Sequence, residues 1–120
     1  TATVTVLDVF SGVPIDGFEG WKASPWYKNY FAGFWPWIYH DEAGWQYVSD
    51  ASLEETIFVW DLGFGEWVFL NEETWRFMYI FSQSPFLPEG YYFSFAGNTP
   101  ELRFFQRASD GEIISIPPSN

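Results

Sequence analysis

The chain has 120 residues, no cysteine, and 16 acidic against 5 basic residues, for a net charge of −11. That length fits one domain with a real core and not two. The lack of cysteine excludes disulfides and thiolate metal sites, and the acidic excess argues against nucleic acid and anionic membrane surfaces, which need clustered Lys and Arg.

Aromatic residues make up 24% of the chain, as 8 Trp, 7 Tyr and 14 Phe, far above ordinary globular usage. A domain this small has too little interior to hide them all, so some are expected on the surface, in a ligand site or between subunits. No window of eighteen apolar residues is present, so no transmembrane helix is expected. The start lacks the basic-then-apolar form of a signal peptide, and the chain reads either as unexported or as a mature form. Scarce lysine (Lys22 and Lys28) beside many Trp, Tyr, Gly and Thr leans toward an exported bacterial surface protein.

Residues 1–10 are β-branched and alternate, which predicts a strand with one apolar face. Residues 11–17 carry the loop chemistry of Gly12, Pro14, Asp16 and Gly17. Together, 1–17 read as an N-terminal arm and loop, and 18–120 as a single aromatic-rich β domain. Ser24-Pro25 is a helix-start signal, and Trp26, Tyr30 and Phe34 are spaced by four, so a helical turn or ordered loop is expected there.

A hairpin follows, with strands at 35–40 and 45–49. It is expected to set Trp35, Trp37 and Tyr39 on one face and to answer with Trp45 and Tyr47. Further strands are predicted at 56–61, 66–70, 74–81, 91–95, 102–107 and 112–116, separated by Gly, Asn, Pro and Asp turns. Turn signals every eight to twelve residues predict an all-β fold, an antiparallel meander or a small sandwich of short hairpins with an aromatic-rich core.

Gly44-Trp45-Gln46-Tyr47-Val48 is echoed by Gly65-Glu66-Trp67-Val68-Phe69 and, more loosely, by Gly90-Tyr91-Tyr92-Phe93. The run from Pro36-Trp37-Ile38-Tyr39-His40 through Gly44-Trp45-Gln46-Tyr47, Val59-Trp60-Asp61 and Gly65-Glu66-Trp67 resembles a Trp-rich β-module of secreted and surface proteins of Gram-negative bacteria. In that module Trp-Ile-Tyr-His and Gly-Trp-x-Tyr precede a second Gly-Trp pair. The likeness covers roughly residues 20–107 and departs at Glu66, which separates Gly65 from Trp67. It implies a β-rich surface protein and no catalytic role.

His40 with Asp41 and Glu42 hints at a metal or an acid–base pair. A metal wants three or four converging ligands, and the chain has no second His and no Cys. The reading is therefore a strand-end His beside solvated turn carboxylates. No serine sits in a nucleophile elbow. The many carboxylates fall mostly in turns, so a glycosidase pair is not expected, and no calcium-loop pattern appears.

The expectation is thus a protein without catalytic residues, metal or cofactor. It is secreted to the bacterial cell surface, where it joins with copies of itself into a fibre. Val4, Val6, Leu7, Val9 and Phe10 would form a donated strand. The alternative is a carbohydrate-binding module that stacks glycans on Trp35, Trp37, Trp45 and Trp60.

Overall fold

The computed structural model of the chain describes residues 9–53, 55–83 and 87–116. They form eleven strands: β1 (Val13–Pro14), β2 (Trp21–Ser24), β3 (Lys28–Phe34), β4 (Trp37–His40), β5 (Gly44–Val48), β6 (Ile57–Asp61), β7 (Glu66–Leu70), β8 (Phe77–Phe81), β9 (Gly90–Ser94), β10 (Arg103–Arg107) and β11 (Ile113–Ile116). All pair antiparallel with their chain neighbours in one sheet ordered β1 to β11, so the fold is a meander and not a sandwich.

Side chains alternate between two faces along each strand, and the two faces differ in chemistry. The inner face carries Tyr30, Ile38, Val48, Ile57, Val59, Val68, Leu70, Met78, Ile80, Tyr92 and Phe105, all buried. It is largely aliphatic. Phe10, from the chain before β1, fills the same interior, stacked on Tyr27 with ring centroids 4.6 Å apart and tilted against Tyr30 at 5.3 Å. Most other aromatics lie on the outer face, so the dense aromatic packing expected of the core is split between two surfaces.

The sheet is curled. Strands β6 and β10 are four apart, which is about 19 Å in a flat sheet. Arg103 of β10 nevertheless bonds Asp61 of β6 at 2.8 Å. Two other links close the same concavity: Arg76 grips Glu42 with two 3.0 Å bonds, and the Tyr27 hydroxyl donates to Gln46 Oε1 at 2.7 Å.

The stretch 24–34 is not helical. Ser24 does act as a cap, its Oγ accepting from the backbone N–H of Tyr27 at 2.9 Å. What it closes is the β2–β3 turn, where Lys28 takes a φ of 70°. The chain then runs antiparallel to β2, with Trp21 opposite Phe31, and the sheet satisfies the backbone. Trp26, Tyr30 and Phe34 do not share a face. Tyr30 points inward, and a bulge between Phe31 and Phe34 turns Phe34 outward.

Residues 11–17, expected as loop, contain the two-residue β1. The strand expected from residue 74 begins at Phe77. Trp75 packs inward, 4.8 Å from the ring of Tyr27. The departure at Glu66 lengthens a turn. The β4–β5 turn spans three residues between the pair His40 and Gly44, and the β6–β7 turn spans four between Asp61 and Glu66. The extra length lets Phe64 fold back edge-on to Phe105 at 5.9 Å.

Candidate functional site

Every outward position of β4 to β9 is aromatic. The register lines these residues up in rows that run across the strands. Trp37 faces Tyr47, Tyr47 faces Trp60, Trp60 faces Trp67, and Trp67 faces Phe81, a single row over five strands. A second row runs Phe58, Phe69, Tyr79, Tyr91. Beside them, Phe31, Tyr39 and Trp45 form a shorter row.

Several neighbouring rings in these rows meet edge to face. Trp37 and Tyr47 are 5.2 Å apart at 70°, Tyr39 and Trp45 5.3 Å at 72°, and Trp60 and Trp67 5.6 Å at 70°. This geometry satisfies the ring quadrupoles and stiffens the surface. The face stays open to water: Trp45 is 38% exposed, Trp67 39% and Tyr91 47%. The Gly-Trp-x-aromatic echoes in the sequence are the repeats of this outer pattern, since Trp45 with Tyr47, Trp67 with Phe69, and Tyr91 with Phe93 take equivalent outward positions.

Of the four tryptophans expected to stack glycans, Trp37 and Trp60 lie in one row with Tyr47 between them, and Trp45 lies in the adjoining row. Trp35 stands at the β3–β4 turn, 44% exposed. Of the five residues expected in a donated strand, Val4, Val6 and Leu7 lie outside the described residues. Val9 packs against the core, and Phe10 is fully buried in it.

The inner face holds a polar chain that the sequence reading missed. Tyr27 donates to Gln46, Gln46 donates through Nε2 to Asp61 Oδ2 at 3.0 Å, and Arg103 donates to Asp61 Oδ1 at 2.8 Å. The Arg103 guanidinium lies over the rings of both Phe64 and Phe105, at 5.0 and 4.9 Å from their centroids. Burial, and next the Asp61 charge, push the Tyr27 hydroxyl pKa far up, so it stays a donor. The signal for this chain was parity. Gln46, Asp61 and Arg103 occupy inward positions that the alternation reserves for apolar residues.

His40 and Glu42 are not a solvated pair. His40 is fully buried and Glu42 nearly so. His40 Nε2 donates to the Tyr27 carbonyl, and Nδ1 accepts from the backbone N–H groups of Glu42 and Ala43, both at 3.2 Å. Those partners fix a neutral imidazole. Burial drives its pKa down to about 4 against the opposing pull of the Tyr27 carbonyl and the Glu42 charge. His40 thus acts as a hairpin cap, tying the β4–β5 turn to the β2–β3 turn. Asp41 alone of the three stays exposed.

Among the described residues, no group of three or more His, Cys, Asp or Glu converges to hold a metal, and no helix is long and apolar enough to cross a membrane. Comparison with known proteins gives no match to any family model, curated protein or solved structure.

Proposed function

We propose that the chain is a non-enzymatic structural module of a secreted bacterial surface protein, and that it assembles with copies of itself through the outer aromatic face. The observation that carries this reading is the uninterrupted aromatic lining of β4 to β9. Strands spaced about 4.8 Å apart with a rise of about 3.4 Å per residue give that face a footprint of roughly 500 Å². Two copies stacked face to face cover on the order of 1,000 Å², the lower bound of a specific interface. The face carries no charged side chain in these strands, so stacking does not set carboxylates of this −11 chain against each other. A two-fold stack is self-complementary without further adaptation.

The composition and the Trp-rich pattern support the surface habitat. The closure of His40, Glu42 and Asp61 among their partners supports a structural and not a catalytic use of the polar residues. Strand donation is the other joint consistent with the sequence. The donated segment must then precede Phe10, which fills its own interior. Glycan stacking on the same face is the second reading, favoured by the exposed Trp35 and Trp45.

Sedimentation velocity over a hundredfold concentration range tests the proposal. Trp45→Glu and Trp67→Glu place a charge on the open face without touching the inner core. Both variants are expected to keep the β-sheet circular dichroism and to remain monomeric where the parent chain associates. If both associate like the parent, the face is not the joint. If deletion of residues 1–8 abolishes association that both glutamate variants retain, the arm is the joint.

A further inference from the structure

Beyond the aromatic rows, the outer face ends near β2 in a different kind of surface. Ile15, Phe18, Trp21, Asn29 and Asp41 line an open cleft of about 470 Å³, within the size range of small-molecule sites. The position of each residue follows from the backbone. The loop before β2 is cinched by three hydrogen bonds, Ile15 N–H to Trp21 O at 2.9 Å, Phe18 N–H to Ile15 O at 3.2 Å and Trp21 N–H to Phe18 O at 3.0 Å. Gly17 and Gly20, both at a φ of 85°, let it turn that tightly. On the facing side, Asp41 N–H donates to Asn29 O at 3.1 Å, so the two polar side chains are carried on adjoining, tied backbone.

We propose that this cleft binds a neutral, β-linked pyranose chain, with one sugar ring lying on Trp21 and Phe18 and its hydroxyls bonded by Asn29 and Asp41. Three features carry the choice of ligand. Trp21 meets the ring of Phe31 at 5.9 Å and lines the cleft. An indole presents a flat apolar plate that fits the C–H face of an all-equatorial pyranose. Asn29 and Asp41 line the same cleft, and an amide and a carboxylate together supply the donors and acceptors that vicinal hydroxyls require. The Asp41 carboxylate in the cleft lining and the net charge of −11 select against sulfated or uronic sugars.

The site is independent of the self-assembly reading. Trp21 sits on β2, opposite Phe31 at the end of the short row, whereas Trp67 lies on β7, five strands away.

The test is isothermal titration of the full chain with cellohexaose, xylohexaose, chitohexaose and, as a charged control, hexagalacturonate and tetramethylammonium. Saturable binding to at least one neutral hexaose is expected, with none to hexagalacturonate. Affinity is expected to fall at least tenfold in Trp21→Ala and in Asp41→Ala. Asn29→Ala serves as a third variant if the Trp21 change disturbs the edge strand. Trp67→Glu, the variant designed against assembly, is expected to bind the sugar as the parent does. Absence of binding to all three neutral hexaoses overturns the proposal, as does binding that Trp21→Ala and Asp41→Ala leave unchanged. Binding of tetramethylammonium alone, lost in Asp41→Ala, also overturns it and makes the cleft a site for organic cations.

Discussion

Arg103 and Asp61 meet at 2.8 Å across the hollow of the sheet, four strands apart, with side-chain exposures of 4% and 1%. Local propensity alone does not bring these strands together, and the pair spans the curl of the sheet. Each charge is desolvated, and the attraction between the two must offset that cost. Asp61→Asn leaves Arg103 buried and uncompensated, and is expected to cost about 3–5 kcal/mol of unfolding free energy in urea titration. The double change Asp61→Asn with Arg103→Met removes the stranded charge and keeps an acceptor for the N–H of Gly63, which now bonds Asp61 at 3.0 Å. It is expected to recover most of the loss. A double variant as unstable as the single one would show that the loss comes from removing the pair and not from a stranded charge.

His40 makes stability depend on pH in a definite direction. Its pKa is about 4 in the fold against an ordinary value of 6.5. Between those values the unfolded chain binds a proton that the folded chain refuses. Stability from this residue is therefore complete above pH 6.5 and is lost as pH falls toward 4, at about 1.4 kcal/mol per pH unit once well inside the window. Glutamine in its place retains an amide donor for the Tyr27 carbonyl and an oxygen for the two N–H groups, and does not titrate. Urea midpoints at pH 7, 6 and 5 should fall more steeply for the parent chain than for His40→Gln. Parallel slopes would mean that His40 takes up a proton as readily in the folded as in the unfolded chain.

Much of the strand pattern was legible because alternation and turn residues agree. The segments at 56–61 and 66–70 begin and end within about a residue of β6 and β7, and Trp37, Tyr39, Trp45 and Tyr47 share the face expected of them. The failures have physical causes. Ser24-Pro25 carries a cap signal that serves a helix or a hairpin turn equally, and only pairing with β2 decided between them. His40 and Glu42 looked solvated because turn carboxylates usually are, but the curl of the sheet brought Arg76 to Glu42 from 34 residues away. The outer cleft was not legible at all, since Trp21 and Asp41 are adjacent only through the register of β2, β3 and β4.

Two turn glycines separate backbone cost from steric cost. Gly65 has a φ of 69° and open space around a Cβ, whereas Gly44 has a φ of 78° and a Cβ built on it would lie 3.2 Å from Pro100 Cβ. Gly65→Ala is expected to cost about 1–2 kcal/mol, the left-handed penalty alone. Gly44→Ala carries the same penalty and must also displace Pro100 in a tightly packed place. Thermal unfolding of the two variants should rank Gly44→Ala as the less stable. The reverse order would mean that the Pro100 turn yields freely.

The aromatic rows make a last prediction about how the outer face is held. Trp60 and Trp67 are directly opposed in β6 and β7, with centroids 5.6 Å apart and planes at 70°. A T-shaped pair is worth about 0.5–1.5 kcal/mol beyond the area it covers. The double-mutant cycle of Trp60→Ala and Trp67→Ala should return a coupling of that size, measured by urea unfolding at a protein concentration low enough to keep the chain monomeric. The same cycle on Trp60 and Tyr91, which lie in different rows on strands three apart, should return a coupling near zero. Equal couplings for the two pairs would mean that the face responds as a single slab and not as rows. Selective coupling within a row would instead mark the row as the mechanical unit of the sheet, so that a partner covering one end of it acts on rings already locked at the other.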